Sequence, residues 1–382
     1  MNPRILLIVA ICAAAAVSAY FFTSRDVGRS TASSERSAES GVGSDSNPDP
    51  SAIAWRAEES PDKPKASAAK AGEVDWNLLS TLDPSKAHAR LTAETTARFL
   101  AKHGETPANL IAVFEGTSGR RWLERALELF PNSPNVLMKA IDATPGGPAK
   151  GGEKFDPDPE RLALIERFKA ADPNNPVPWI YAAKELFKAG ATPGAVAEIR
   201  AALERPAFYI FANERMDAAQ RLYADLGLGT TEATVLATFG LTLPHVSAAQ
   251  QTSRMLMEWQ KSATESGDAA AADEALRLTY NLGRTFATPE ASRLLVGQLV
   301  GISMEKRALE ALPADSQPGW LKVDREQRLA EIEEEKQLAK EVTANSERIM
   351  KSRDGQLLSE MIRRVRNDSR SAALEWVKSQ RK

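Results

Sequence analysis

The chain of 382 residues is 43% hydrophobic and 26% charged but only 6% aromatic, a globular composition whose apolar share leans on alanine and so favours helix. A formal charge of -2 gives no global electrostatic reason for nucleic acid as a partner, and none is expected. The single cysteine, Cys12, excludes an intramolecular disulfide and a cysteine-built zinc site.

Residues 5–22, ILLIVAICAAAAVSAYFF, carry no charge and lie between Arg4 and Arg25. That length is close to the minimum for crossing a bilayer. Together with residues 1–4 the segment predicts a signal anchor, with Tyr20 and Phe21 at the interface and the body on the extracytoplasmic, periplasmic side. A signal peptide cut after Ala19 is the alternative, with Val17 and Ala19 as the small residues the peptidase requires. A lipidated Cys12 is disfavoured because Ile11 stands where a small residue is needed. Residues 23–73, including SSERSAESGVGSDSNPDP, are rich in Ser, Pro, Gly and mixed charge. They cannot bury enough apolar surface to offset chain entropy, so a disordered tether is expected.

From residue 74 onward helix punctuation dominates and strand signals are almost absent. Starts are predicted where a capping residue precedes a proline, at Asp83-Pro84, Thr106-Pro107, Asp158-Pro159, Thr192-Pro193 and Thr288-Pro289. Stops are predicted at Gly104, Gly116, Gly190, Gly227 and Gly267, where glycine can take the left-handed conformation.

The stretch FKAADPNNPVPWIYAAKELFKAGATPGAVAEIRAAL (168–203) reads as a helical hairpin. Trp179 fills a gap between hairpins, Ala183, Ala195 and Ala202 let two backbones approach, and Gly190 turns the chain. An ungapped second copy sets Ala97, Leu100, Gly104, Thr106, Pro107, Leu110 and Val113 over Ala183, Leu186, Gly190, Thr192, Pro193, Val196 and Ile199. In these positions residues 74–206 resemble the tetratricopeptide repeat, most closely over residues 92–205. The motif PNSP at Pro131 recurs as PNNP at Pro173, and the Gly-rich loop before Asp158 accounts for an interval longer than one standard repeat. The resemblance implies an all-α solenoid of hairpins that binds a protein or peptide along the groove formed by its first helices. Candidate partner-binding residues, taken as exposed there, are Asn135, Lys139, Tyr181, Lys184 and Lys188.

Residues 207–315 predict an alanine-rich helical bundle, in which GDAAAADEALRL hints at a degenerate repeat. Residues 316–382 open with a long charged helix over 316–356, with Leu329, Ile332, Leu338, Val342 and Ile349 as sparse apolar contacts. These residues split between two heptad frames, which favours one-sided packing over a coiled coil. After Gly355 an amphipathic helix carries Leu358, Met361, Ile362, Val365 and Trp376; its basic excess suits either anionic lipid or, the favoured reading, a packed helix with its basic face in water.

Catalytic and cofactor motifs are missing. His88, His103 and His245 have no ligand spacing, and His103, before Gly104, suits a helix C-terminus. GGPAKGGEK lacks the Gly-Lys-Ser/Thr of a phosphate loop. No Gly-x-Ser-x-Gly occurs, and the acidic run 331–335 reads as a solvated face. No metal, cofactor or catalytic residue is therefore expected. The reading that follows is a membrane-anchored, extracytoplasmic interaction scaffold. Its alternatives are an envelope enzyme or subunit with a site in residues 207–311, and a structural spacer that forms homo-oligomers through the long charged helix.

Overall fold

The computed structural model describes residues 90–144, 158–205, 208–286, 295–313 and 316–367, together with His88, Glu375, Trp376 and Ser379. The apolar segment 5–22, the tether 23–73, the helix starts at Asp83 and Thr288 and the loop 145–157 lie outside the described residues. Among those described, no helix is long and apolar enough to cross a membrane, and every regular element is an α-helix.

Among the described residues fourteen helices follow one another: α1 (Ala93–His103), α2 (Pro107–Thr117), α3 (Arg120–Leu129), α4 (Pro134–Ala143), α5 (Pro159–Ala171), α6 (Val177–Lys188), α7 (Thr192–Leu203), α8 (Ala212–Asp225), α9 (Thr230–Phe239), α10 (Pro244–Glu265), α11 (Ala269–Thr285), α12 (Leu295–Glu310), α13 (Arg325–Ser352) and α14 (Gly355–Asn367). Local chemistry sets most of the boundaries. Thr106 and Asp158 accept from the backbone of Asn109 and Glu160, each with proline at the first helical position. The missing proline N–H is one that the helix would leave unpaired anyway. Gly104, Gly190, Gly227 and Gly267 all have positive φ at helix ends.

Four boundaries differ from those expected. α7 begins at Thr192 itself, so this threonine is the first helical residue and no side chain caps the helix. Gly116 lies inside α2, which ends instead on a left-handed Ser118. Its lack of a Cβ serves packing, because the Leu91 side chain occupies that space. The long charged helix starts only at Arg325, where Asp324 Oδ1 accepts from Gln327 N at 2.9 Å. It ends on a left-handed Arg353, not at Gly355, which opens the next helix.

Sequential pairs form the first half: α1 on α2, α4 on α5 despite the interruption between them, and α6 on α7. In the last pair Ala183, Ala195 and Ala202 are buried at the crossing, and Arg205 lies over the Trp179 ring, 3.6 Å from its centroid. The second half then folds back. α8 packs along α2 and touches α1, while α10 lies on α6. His103 of α1 and Lys102 both reach Asp225 of α8, at 2.9 and 2.7 Å.

α11 and α12 cross at Gly283 and Gly301, where a Cβ on either would stand within 2.7 Å of the other's carbonyl oxygen. α13 buries Ile332, Val342 and Ile349 along one side, as the sparse apolar spacing implied. α14 packs on α9 and α13 through Leu358, Met361 and Ile362. These three residues of the amphipathic stripe are thus used inside the fold.

Candidate functional site

A cavity of about 340 Å³ opens between α2, α4, α8 and α9. Its walls are mostly apolar, with Ala112 and Phe114 from α2, Ala219 and Leu222 from α8, and Leu236 and Ala237 from α9. The C-terminal ends of α2 and α9 both face it, through Gly116, Ser118 and Gly240. Such ends carry partial negative charge on their last carbonyls.

Three charged side chains from three helices meet in this wall. Glu115 Oε1 accepts from Lys139 Nζ at 2.7 Å and from Arg215 Nη2, whose second contact is Thr242 Oγ1 at 3.2 Å. The residues come together because α8 returns to α2 about a hundred positions along the chain. Burial alone would raise the Glu115 carboxyl, but the guanidinium of Arg215 and the ammonium of Lys139 outweigh it and hold it below the ordinary carboxylate value. Glu115 keeps 23% of its side chain exposed, whereas Arg215 keeps 2%. Beside them, His88 Nε2 lies 3.0 Å from the Tyr223 hydroxyl with the rings stacked. Burial, then the Glu115 charge, pushes this phenol up to about 12.

Behind the cavity the polar network continues into the core. Tyr181 OH donates to Asp142 Oδ1 at 2.8 Å, and Asp142 Oδ2 has no partner among the described residues. Burial drives the Asp142 carboxyl up to about 6 against the opposing effects of Tyr181, Lys139, Arg215 and Arg161. Arg161 pairs with Glu185 at 3.1 Å and donates to the Ile141 and Thr144 carbonyls at the end of α4. One guanidinium thereby satisfies helix-terminal acceptors that have no partner within the helix. His245 is buried and, through desolvation and then the Arg215 charge, lowered to about 3, so it is neutral.

The five residues taken as groove-facing are distributed differently. Asn135, Lys139 and Tyr181 are buried, at 6%, 8% and 1% exposure, which corrects the assumption that they are open to solvent. Tyr181 sits between α4 and α6, and α10 covers the α6 side. Lys184 and Lys188 are partly exposed and lean toward Glu185, at 3.3 and 3.6 Å. Only Lys139 belongs to the cavity wall.

Sequence reasoning missed Glu115, Asp142, Arg161, Glu185 and Arg215. The available signal was a charge at an apolar-rich position, as in NLIAVFEG and NVLMKAIDA. The acidic run 331–335 is also more than a solvated face, since Arg328 pairs with Glu331 and Glu335 at 3.1 and 2.9 Å as well as with the buried Glu305. No group of three metal-capable side chains occurs among the described residues. Comparison with family models, with characterised proteins and with solved structures found no match.

Proposed function

We propose that this chain is a membrane-tethered binding protein whose helical body, on the extracytoplasmic side, holds part of a protein or peptide partner. Its pairs α1–α2, α4–α5 and α6–α7, with α3 standing between the first two, suit a short tetratricopeptide-like solenoid. The buried alanines at the α6–α7 crossing and the positive φ of Gly190 support that reading. Recognition falls at the cavity between α2, α4, α8 and α9 rather than along the first helices, because α10 lies on α6 and the side chains expected in the groove are largely covered.

The observation that carries this reading is the Glu115, Lys139 and Arg215 cluster set in apolar walls. A mostly apolar pocket with a few convergent polar groups is the usual form of a binding site. Crosslinked capture by the full chain in its membrane tests it. Ala219→Leu, which fills the cavity, is expected to abolish reproducible capture, while Lys188→Gln leaves it intact; the reverse pattern returns recognition to the groove.

A further inference from the structure

The cavity presents an unusual pair of polar groups to whatever enters it. Both cations contact the same oxygen of Glu115, Oε1, and among the described residues no hydrogen bond reaches Oε2. Glu115 lines the cavity and is held ionised, which leaves its second oxygen as an acceptor there. Lys139 Nζ, 2.7 Å from Oε1, uses one of its three N–H bonds there and lies 5.5 Å from the Phe114 ring centroid. A donor and an acceptor stand side by side, backed by apolar walls.

Charge selects among the head groups that could meet them. A carboxylate would be drawn by the net positive charge of the cluster, but to reach Lys139 it would have to lie beside the ionised Oε2 and the carbonyl ends of α2 and α9, without a proton to donate to them. A full cation would meet Lys139 and Arg215, two positive charges against the single negative charge of Glu115. A neutral group that both donates and accepts avoids each cost and matches both partners.

We infer that the cavity binds a primary carboxamide carried on a short apolar stem, its N–H donating to Glu115 Oε2 and its carbonyl accepting from Lys139 Nζ. The stem lies against Ala219, Leu222 and Leu236. The same chemistry is offered by a free amide and by the side chain of glutamine in a partner, and the glutamine source rests on the cavity being the recognition site proposed above. At about 340 Å³ the space is at the lower end of small-molecule sites, which favours a short stem.

Titration calorimetry and ligand-observed NMR on the full chain test it with three probes of one stem: pentanamide, pentanoate and pentylammonium. Pentanamide is expected to bind about tenfold tighter than either charged probe, and Ala219→Leu to weaken it about tenfold. Glu115→Gln is expected to narrow the preference, with its melting temperature checked in parallel. N-acetylglutamine methylamide and its glutamate counterpart separate the two sources. Competition by the glutamine compound alone assigns the amide to a partner side chain; competition by neither, with pentanamide bound, assigns it to a free ligand. Equal or tighter binding of pentanoate or pentylammonium overturns the inference, as does unchanged pentanamide binding in a folded Ala219→Leu. Loss of partner capture in that variant is a separate readout. If capture survives while pentanamide is lost, the partner reading falls and the carboxamide site stands.

Discussion

Glu115 and Glu305 are both carboxylates drawn into the body and met by arginine, yet their surroundings have opposite consequences. Glu305 of α12 is fully buried, with Arg328 Nη2 at 2.9 Å, Arg284 at 3.7 Å and one oxygen, Oε1, without a partner among the described residues. Burial raises its pKa and the arginines do not fully compensate, with Glu335 adding to the rise. Glu115 has two cations in direct contact with one oxygen and is shifted down. The first arrangement closes a helix crossing built on two glycines, and the second stands at the edge of a cavity. Similar residue types therefore make a sealed structural cluster in one half and an accessible polar face in the other.

Four measurements sharpen that contrast. The largest expected effect is Arg328→Met, which leaves Glu305 buried without its main cation and is expected to destabilise the body by about 3–5 kcal/mol in urea unfolding. A loss below about 1 kcal/mol would show that the cluster is not sealed. Gly301→Ala comes next. Its new Cβ would stand 2.7 Å from both the Gly283 carbonyl oxygen and the Phe286 Cβ, and since neither can move without shifting a helix, a loss of about 2–3 kcal/mol is expected.

The third concerns Asp142, whose folded pKa of about 6 lies above its unfolded value. A raised carboxyl favours the protonated form in the fold. Its contribution to stability is therefore present below the unfolded pKa and is lost as pH rises through about 6. The stability of wild type relative to Asp142→Asn should rise by on the order of 2 kcal/mol between pH 7 and pH 4, and a flat difference contradicts the assignment. His245 acts in the opposite sense in both chains. Held neutral at about 3, it lowers stability as pH falls below about 6.5, so only the difference between the variants isolates Asp142. The smallest effect is Lys139→Met. Glu115 keeps Arg215 and its exposure to the cavity, so about 1 kcal/mol is expected in the same unfolding measurement. A loss as large as that of Arg328→Met would make the two clusters alike.

The all-helical class and many boundaries were legible because short-range chemistry sets them: Thr106-Pro107, Asp158-Pro159 and the glycines at 104, 190, 227 and 267 act on their own turns. The one-sided packing of α13 could likewise be read from Ile332, Val342 and Ile349. The return of α8 onto α2 could not. It depends on contacts such as Arg215 to Glu115 and Arg221 to Asn109, which join residues about a hundred positions apart and leave no periodic trace. Missing that return, and the lie of α10 on α6, makes Lys139 and Tyr181 look exposed, when one lines a cavity and the other is enclosed beside Asp142. Gly116 was misread for the same reason, since its role is set by Leu91 from another segment and not by its own turn.

Recognition at the cavity, as proposed, and recognition along the first helices place a bound partner against different residues. Site-directed photo-crosslinking separates the two most directly, with a cysteine-linked probe carried by Ser118→Cys at the cavity mouth or by Lys188→Cys on α6, each in a full chain with Cys12→Ser. Recognition at the cavity predicts a partner adduct from position 118 that is lost when Ala219→Leu is added, and none from position 188. An adduct from position 188 alone, unaffected by Ala219→Leu, would contradict it.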